Sequence, residues 1–234
     1  MLVDELLTSL FDGKHHILAE PMTAWLASSR RFTDFVKTHH TKIRKKIRTT
    51  QDAETLRDLQ LELETAYLLL SEKSLSLAYE PQHPELGRSP DFAVTFTTSL
   101  TFMVEVTRMR GILAGQLFHD RFIDLVCGKL GQLLTQRSNL LVVGAEDLHL
   151  TSDELRASML RLQKRAEAND ASVVPRYGFR DRADFFNRYQ RLSAILVREI
   201  PLQAGDSVIF WDNLQAKYLL PAKVRTALTR SHTL

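Results

Sequence analysis

A single cysteine, Cys127, excludes an internal disulfide and any zinc site built on a cysteine cluster. It fits a reducing, cytoplasmic setting, and its neighbours in "DLVCGKL" read as a buried helix position. Glycine is sparse, nine in 234 residues, and no Gly-rich phosphate loop is present. There is no G-x-S-x-G elbow either. No apolar run reaches the ~18 residues needed to span a bilayer, so no membrane partner is expected. The opening "MLVDELLTSLFDG" carries acids where a signal peptide would carry bases, which argues against secretion. The histidine pairs His15-His16 and His39-His40 are adjacent rather than four apart, so neither presents two ligands on one helix face.

What is present is an ordinary globular balance. Hydrophobic residues make up 44% and charged residues 25%, with a formal net charge of +3. That length and composition suffice for one domain, or one with a helical annex. The positive charge is clustered. "KIRKKIR" sets Lys42, Arg44, Lys45, Lys46 and Arg48 within seven residues. These cations are either a solvated helix face or a ridge for a phosphate backbone.

The chain changes character near residue 75. Before it the spacing is helical: Phe32, Phe35, Val36, Ile43 and Ile47 fall near one face of "TAWLASSRRFTDFVKTHHTKIRKKIRTT". A second long helix, "DAETLRDLQLELETAYLLLSEK", aligns Leu56, Leu59, Leu63, Ala66, Tyr67 and Leu70, with Glu62 at the edge of that face. After it the pattern is mixed. "SLAYEP" reads as a strand, and "DFAVTFT" and "LTFMVEVT" form a hairpin about a polar turn. A helix follows over roughly Gly115 to Gln136, then the nearly all-apolar strand "NLLVVGA", expected where both faces are covered. Thr151 and Glu154 make a capping box. "DRADFFNRYQRLS" is helical, "AILVREI" and "SVIFWD" are late strands, and Pro221 introduces the last helix. This divides the chain into an N-terminal helical extension (1–54) and an α/β domain (55–234) with a central mixed sheet flanked by helices.

Two carboxylates stand out. Asp91 opens the first hairpin strand, and Glu105 sits between valines on the second. Side chains alternate along a strand, so Glu105 and Thr107 share one face, away from Val104 and Val106. The hairpin brings Asp91 back toward Glu105. A buried carboxylate without a partner is costly. Two close together repel unless a cation lies between them. Oxygen donors of this kind suit Mg²⁺ or Mn²⁺. The bland alternatives are that Asp91 caps a turn and that Glu105 pairs with Arg108 or another arginine.

Pro90-Asp91 and Glu105-Val106-Thr107 lie on consecutive strands, after an acidic helix and before an apolar helix and a buried strand. In this order, over roughly residues 55–145, the chain resembles the PD-(D/E)XK nucleases, the restriction-endonuclease-like fold. The resemblance implies a metal-dependent nuclease acting on DNA or RNA. It implies Asp91, Glu105 and the Val106 carbonyl as Mg²⁺ or Mn²⁺ ligands, with Glu62 from the first core helix, or Glu64 in its place. Only one of those two can face the site. The pattern departs at Thr107, where the superfamily has lysine. Three explanations compete. Lys129 on the following helix supplies the charge, supported by Gln132. Arg108 or Arg110 supplies it, although arginine hardly ever acts as a base. Or the site is inactive and the protein is a nucleic-acid-binding or protein-interaction module. A homodimer would suit cleavage of both strands of a duplex.

Overall fold

Local signals set the helix boundaries. In the computed structural model, which describes residues 3–50, 52–82, 89–110, 116–145, 151–200 and 208–232, nine helices and six strands are seen among the described residues. The N-terminal helices are α1 (Val3–Phe11), α2 (Ala19–Ser28), α3 (Arg30–Thr38) and α4 (His40–Thr49). The stretch expected to be one long helix is therefore three. Ser29 is extended (φ −134°, ψ 107°), and its hydroxyl accepts the Phe32 N–H, which caps α3. A second break falls at His39. Helix α5 (Ala53–Ser71) starts where the Asp52 carboxylate accepts the Thr55 N–H at 2.8 Å.

The strands are β1 (Leu75–Tyr79), β2 (Phe92–Phe96), β3 (Leu100–Met109), β4 (Asn139–Ala145), β5 (Leu192–Glu199) and β6 (Ile209–Asp212). They form one open mixed sheet in chain order. β1, β2 and β3 are antiparallel neighbours, β3, β4 and β5 run parallel, and β6 returns antiparallel to β5. The parallel steps need crossovers. The helix α6 (Gln116–Leu130) lies between β3 and β4, and α7 (Ser152–Glu167) and α8 (Arg182–Tyr189) lie between β4 and β5. Both crossovers cover the same face. Leu141, Val143, Ile195 and Val197 pack there with Phe122, Val126, Met159 and Phe185. Cys127 is buried in this layer. Thr151 and Glu154 form the expected capping box on α7, and Pro221 stands just before α9 (Ala222–Ser231).

The opposite face meets α5. Leu140, Val142, Ala194 and Leu196 pack with Leu63 and Ala66, and the same core runs on into α1 to α4 and α9. Helices α1 to α4 thus share their apolar core with the sheet. This explains why α5 is apolar on more than one stripe. Leu61 and Leu68 are buried as well as the expected Leu59, Leu63 and Leu70, because α5 lies between the sheet and other helices. Its approach to the sheet is close at Gly144. A Cβ there would stand 2.6 and 2.7 Å from the two Leu61 methyls, so any side chain at this strand position would have to push the Leu61 side chain aside. Among the described residues no helix is long and apolar enough to cross a membrane.

Candidate active site

The site forms where β2 stops short of its neighbour. Pairing of β2 with β3 ends at Phe92–Val104, while β3 continues to Met109. Just before Phe92, the Asp91 carboxylate takes up the vacated edge and accepts the Val106 N–H at 2.7 Å. The N–H and C=O of one strand residue point to the same edge. The Val106 carbonyl therefore faces Asp91's side as well.

The alternation of β3 then distributes the chemistry over two faces. Glu105 and Thr107 face α6; Arg108 faces α5. Glu105 is buried, and Lys129 of α6 donates to its Oε2 at 3.3 Å. Gln132, one turn further on, accepts from the same ammonium at 3.3 Å. Of Lys129, Arg108 and Arg110, Lys129 is seen donating to Glu105. Arg108 pairs with Glu54 (2.5 Å) and Asp58 (2.9 Å) on α5, and Arg110 pairs with Asp58 (2.5 Å).

Helix α5 separates the two glutamates left open by the sequence. Glu62 lines the same pocket as Asp91. Glu64 turns into the core and forms an ion pair at 2.8 Å with the fully buried Arg198 of β5. Glu62 is held by Lys46 of α4 (2.6 Å) and by the Tyr79 hydroxyl (2.5 Å). Neither is identifiable from the sequence as a partner of Glu62. Lys46 is one cation in the basic run, and Tyr79 carries no motif.

The pocket holds about 340 Å³ and is lined by Glu62, Asp91, Val106, Thr107, Arg108 and Lys129, among others. Its electrostatics are strained at Asp91. Burial, and then the neighbouring Glu105 carboxylate, push this carboxyl up from 3.8 to about 6, against the Val106 N–H and the Lys129 and Lys46 ammoniums. Burial and the Asp91 charge also raise Glu62 above the usual carboxylate range, opposed by Lys46. Among the described residues no three His, Cys, Asp or Glu side chains converge as a ready-made metal cluster. The donors fit a smaller arrangement. Mg²⁺ is commonly held by one or two carboxylates, with water and substrate phosphate filling the other positions. Asp91 and Glu105 offer such a pair.

The basic run looks different in three dimensions than in the sequence. Arg44 and Arg48 share Asp12 (2.5 and 2.7 Å), and Lys42 and Lys46 share Glu80 (3.7 and 2.6 Å). Lys45 is exposed. Elsewhere, His119 bonds to Ser158 of α7 at 2.7 Å. The buried Asn213 ties its turn to the carbonyls of Tyr189 and Leu192.

Fold and site together define an α/β protein with a cleft lined by carboxylates and cations at the end of a short sheet strand. Comparison with protein-family models, with curated proteins and with solved structures finds no match to this chain.

Proposed function

We propose that the chain is a metal-dependent phosphodiesterase acting on DNA or RNA, with a restriction-endonuclease-like core. The observation that carries this is the Lys129 ammonium 3.3 Å from Glu105, in the pocket that Asp91 also lines. It puts a cation beside an acidic pair at the place where Thr107 has none to offer. Asp91 and Glu105 would hold Mg²⁺ or Mn²⁺, with the Val106 carbonyl beside them and Glu62 completing the acidic wall. The ion, when bound, lowers the pKa of a coordinated water and offsets charge on the phosphate.

The chain's own groups do the rest. The Val106 N–H fixes the Asp91 carboxyl. Glu105 and Gln132 hold Lys129 from two sides, so its remaining proton can be donated to the attacking water or a phosphate oxygen. Lys46 and Tyr79 fix Glu62, which lines the same pocket as Asp91. Cutting both strands of a duplex calls for two such sites, which a homodimer would provide.

One observation favours a second reading. Each carboxylate already has a donor partner within the protein: Val106 for Asp91, Lys129 for Glu105 and Lys46 for Glu62. A fold that had lost its chemistry and kept nucleic-acid binding would look the same. The test is cleavage of duplex DNA, single-stranded DNA and RNA with Mg²⁺ or Mn²⁺, in wild type, Glu105→Gln and Lys129→Met. The expected result is metal-dependent cutting by wild type and a loss of about 100-fold or more in kcat for each variant. Failure of the folded wild type to cut any of the three would overturn the nuclease reading and leave binding alone.

A further inference from the structure

We propose that the nucleic-acid strand enters the cleft along a second groove, walled by Arg110, Arg121 and Arg176, and not along the α4 ridge. This rests on the reading of the site as a phosphodiesterase. The groove encloses about 680 Å³ between the end of β3 and the outer face of α6. It opens directly from the candidate site, because Thr107, Arg108, Arg110 and Lys129 wall both. A strand lying in it would present successive phosphates to the acidic pair.

Charge favours this path. Arg121 is exposed and pairs with no carboxylate among the described residues. Arg110 and Arg176 are more than half exposed; Arg110 pairs with Asp58 at 2.5 Å, and Arg176 with Asp124 at 3.4 Å. Among the described residues Asp124 is the one acid of the groove wall, and the Tyr177 hydroxyl also donates to it. On α4 four of the five cations are shared between Asp12 and Glu80, and none of the five lines the groove or the site pocket. Arg121 and Lys129 lie eight residues apart on α6, about 12 Å along its axis, so cationic groups run from the groove's far end to the site. Between them Gly128 is exposed, with nothing within 4 Å of where its Cβ would stand. The missing side chain leaves the helix surface low enough for a polymer backbone to approach.

The test is anisotropy with a fluorescein-labelled 20-mer, duplex and single-stranded, across a salt series. It compares wild type, Arg121→Glu/Arg176→Glu, Gly128→Leu, Lys45→Glu and Glu105→Gln, each with its melting temperature recorded. The groove double variant should weaken binding at least tenfold and flatten the duplex salt slope by about 2, at ~0.9 for each phosphate no longer neutralised. Gly128→Leu should weaken binding by blocking the floor without removing charge. Lys45→Glu should change affinity less than twofold. Wild-type affinity in both groove variants, or a larger loss in Lys45→Glu, overturns the proposal, as does equal affinity for poly-glutamate. If the groove variants lose binding but the wild type cuts nothing, the groove stands and the phosphodiesterase reading falls. If Glu105→Gln loses cutting while the groove variants bind and cut normally, the reverse holds.

Discussion

Replacing Asp91 with asparagine should make the protein more stable at pH 8, although Asp91 is proposed as a metal ligand. The Asp91 carboxyl is lifted from 3.8 to about 6 by burial and by Glu105. The native state therefore binds this proton more tightly than the unfolded chain does. Between those two values it carries more protons, so the stability contributed by Asp91 falls as pH rises through that window. At roughly 1.4 kcal/mol per pKa unit, the ionised carboxylate costs the fold on the order of 3 kcal/mol above pH 6. Asparagine removes that charge and keeps an oxygen to accept the Val106 N–H. A neutral acceptor is weaker than an ionised one by about 1 kcal/mol. The net gain at pH 8 is about 1–3 kcal/mol, or roughly 3–10 °C in Tm for a chain of this size. The gain should shrink below pH 6 and vanish below 3.8. Thermal and urea denaturation of both proteins from pH 3 to 8 measure it. Added Mg²⁺ should raise the Tm of wild type and leave the variant unmoved. An Asp91→Asn protein that is less stable at pH 8, or whose difference does not vary with pH, would refute the reasoning.

Two further substitutions probe the core on the α5 face. Arg198→Met leaves the Glu64 carboxylate buried without its cation, and should cost about 3–5 kcal/mol in urea unfolding. Adding Glu64→Leu should recover much of that loss, and equal stability of single and double variants would contradict a buried pair. Gly144→Ala drives a methyl into Leu61 and also comes within 3.2 Å of Ile200, for a loss of about 1–3 kcal/mol. In a double-mutant cycle with Leu61→Ala the two losses should be less than additive, whereas strict additivity would place the strain elsewhere.

Much of the scaffold is legible in the sequence because its signals are local. Alternation places β2 and β3 as a hairpin, the apolar run marks β4 as a doubly covered strand, and Thr151 with Glu154 announces α7. Glu105 draws notice for the same reason, an acid amid apolar neighbours. The single N-terminal helix fails because its apolar stripe continues through Ser29 and His39, where capping and backbone angle break the helix without breaking the pattern.

By itself, then, the sequence determined which faces of helix and strand are apolar and which carboxylates lie out of place. Those properties follow from backbone periodicity and need no knowledge of what lies across the core. Only tertiary structure decided the partners. Lys129 reaches Glu105 over 24 positions, Lys46 reaches Glu62 over 16, and Arg198 takes Glu64 out of contention over 134. It also tied four cations of the α4 run to Asp12 and Glu80. Charge pairing depends on distance and burial after packing, and no spacing along the chain records either.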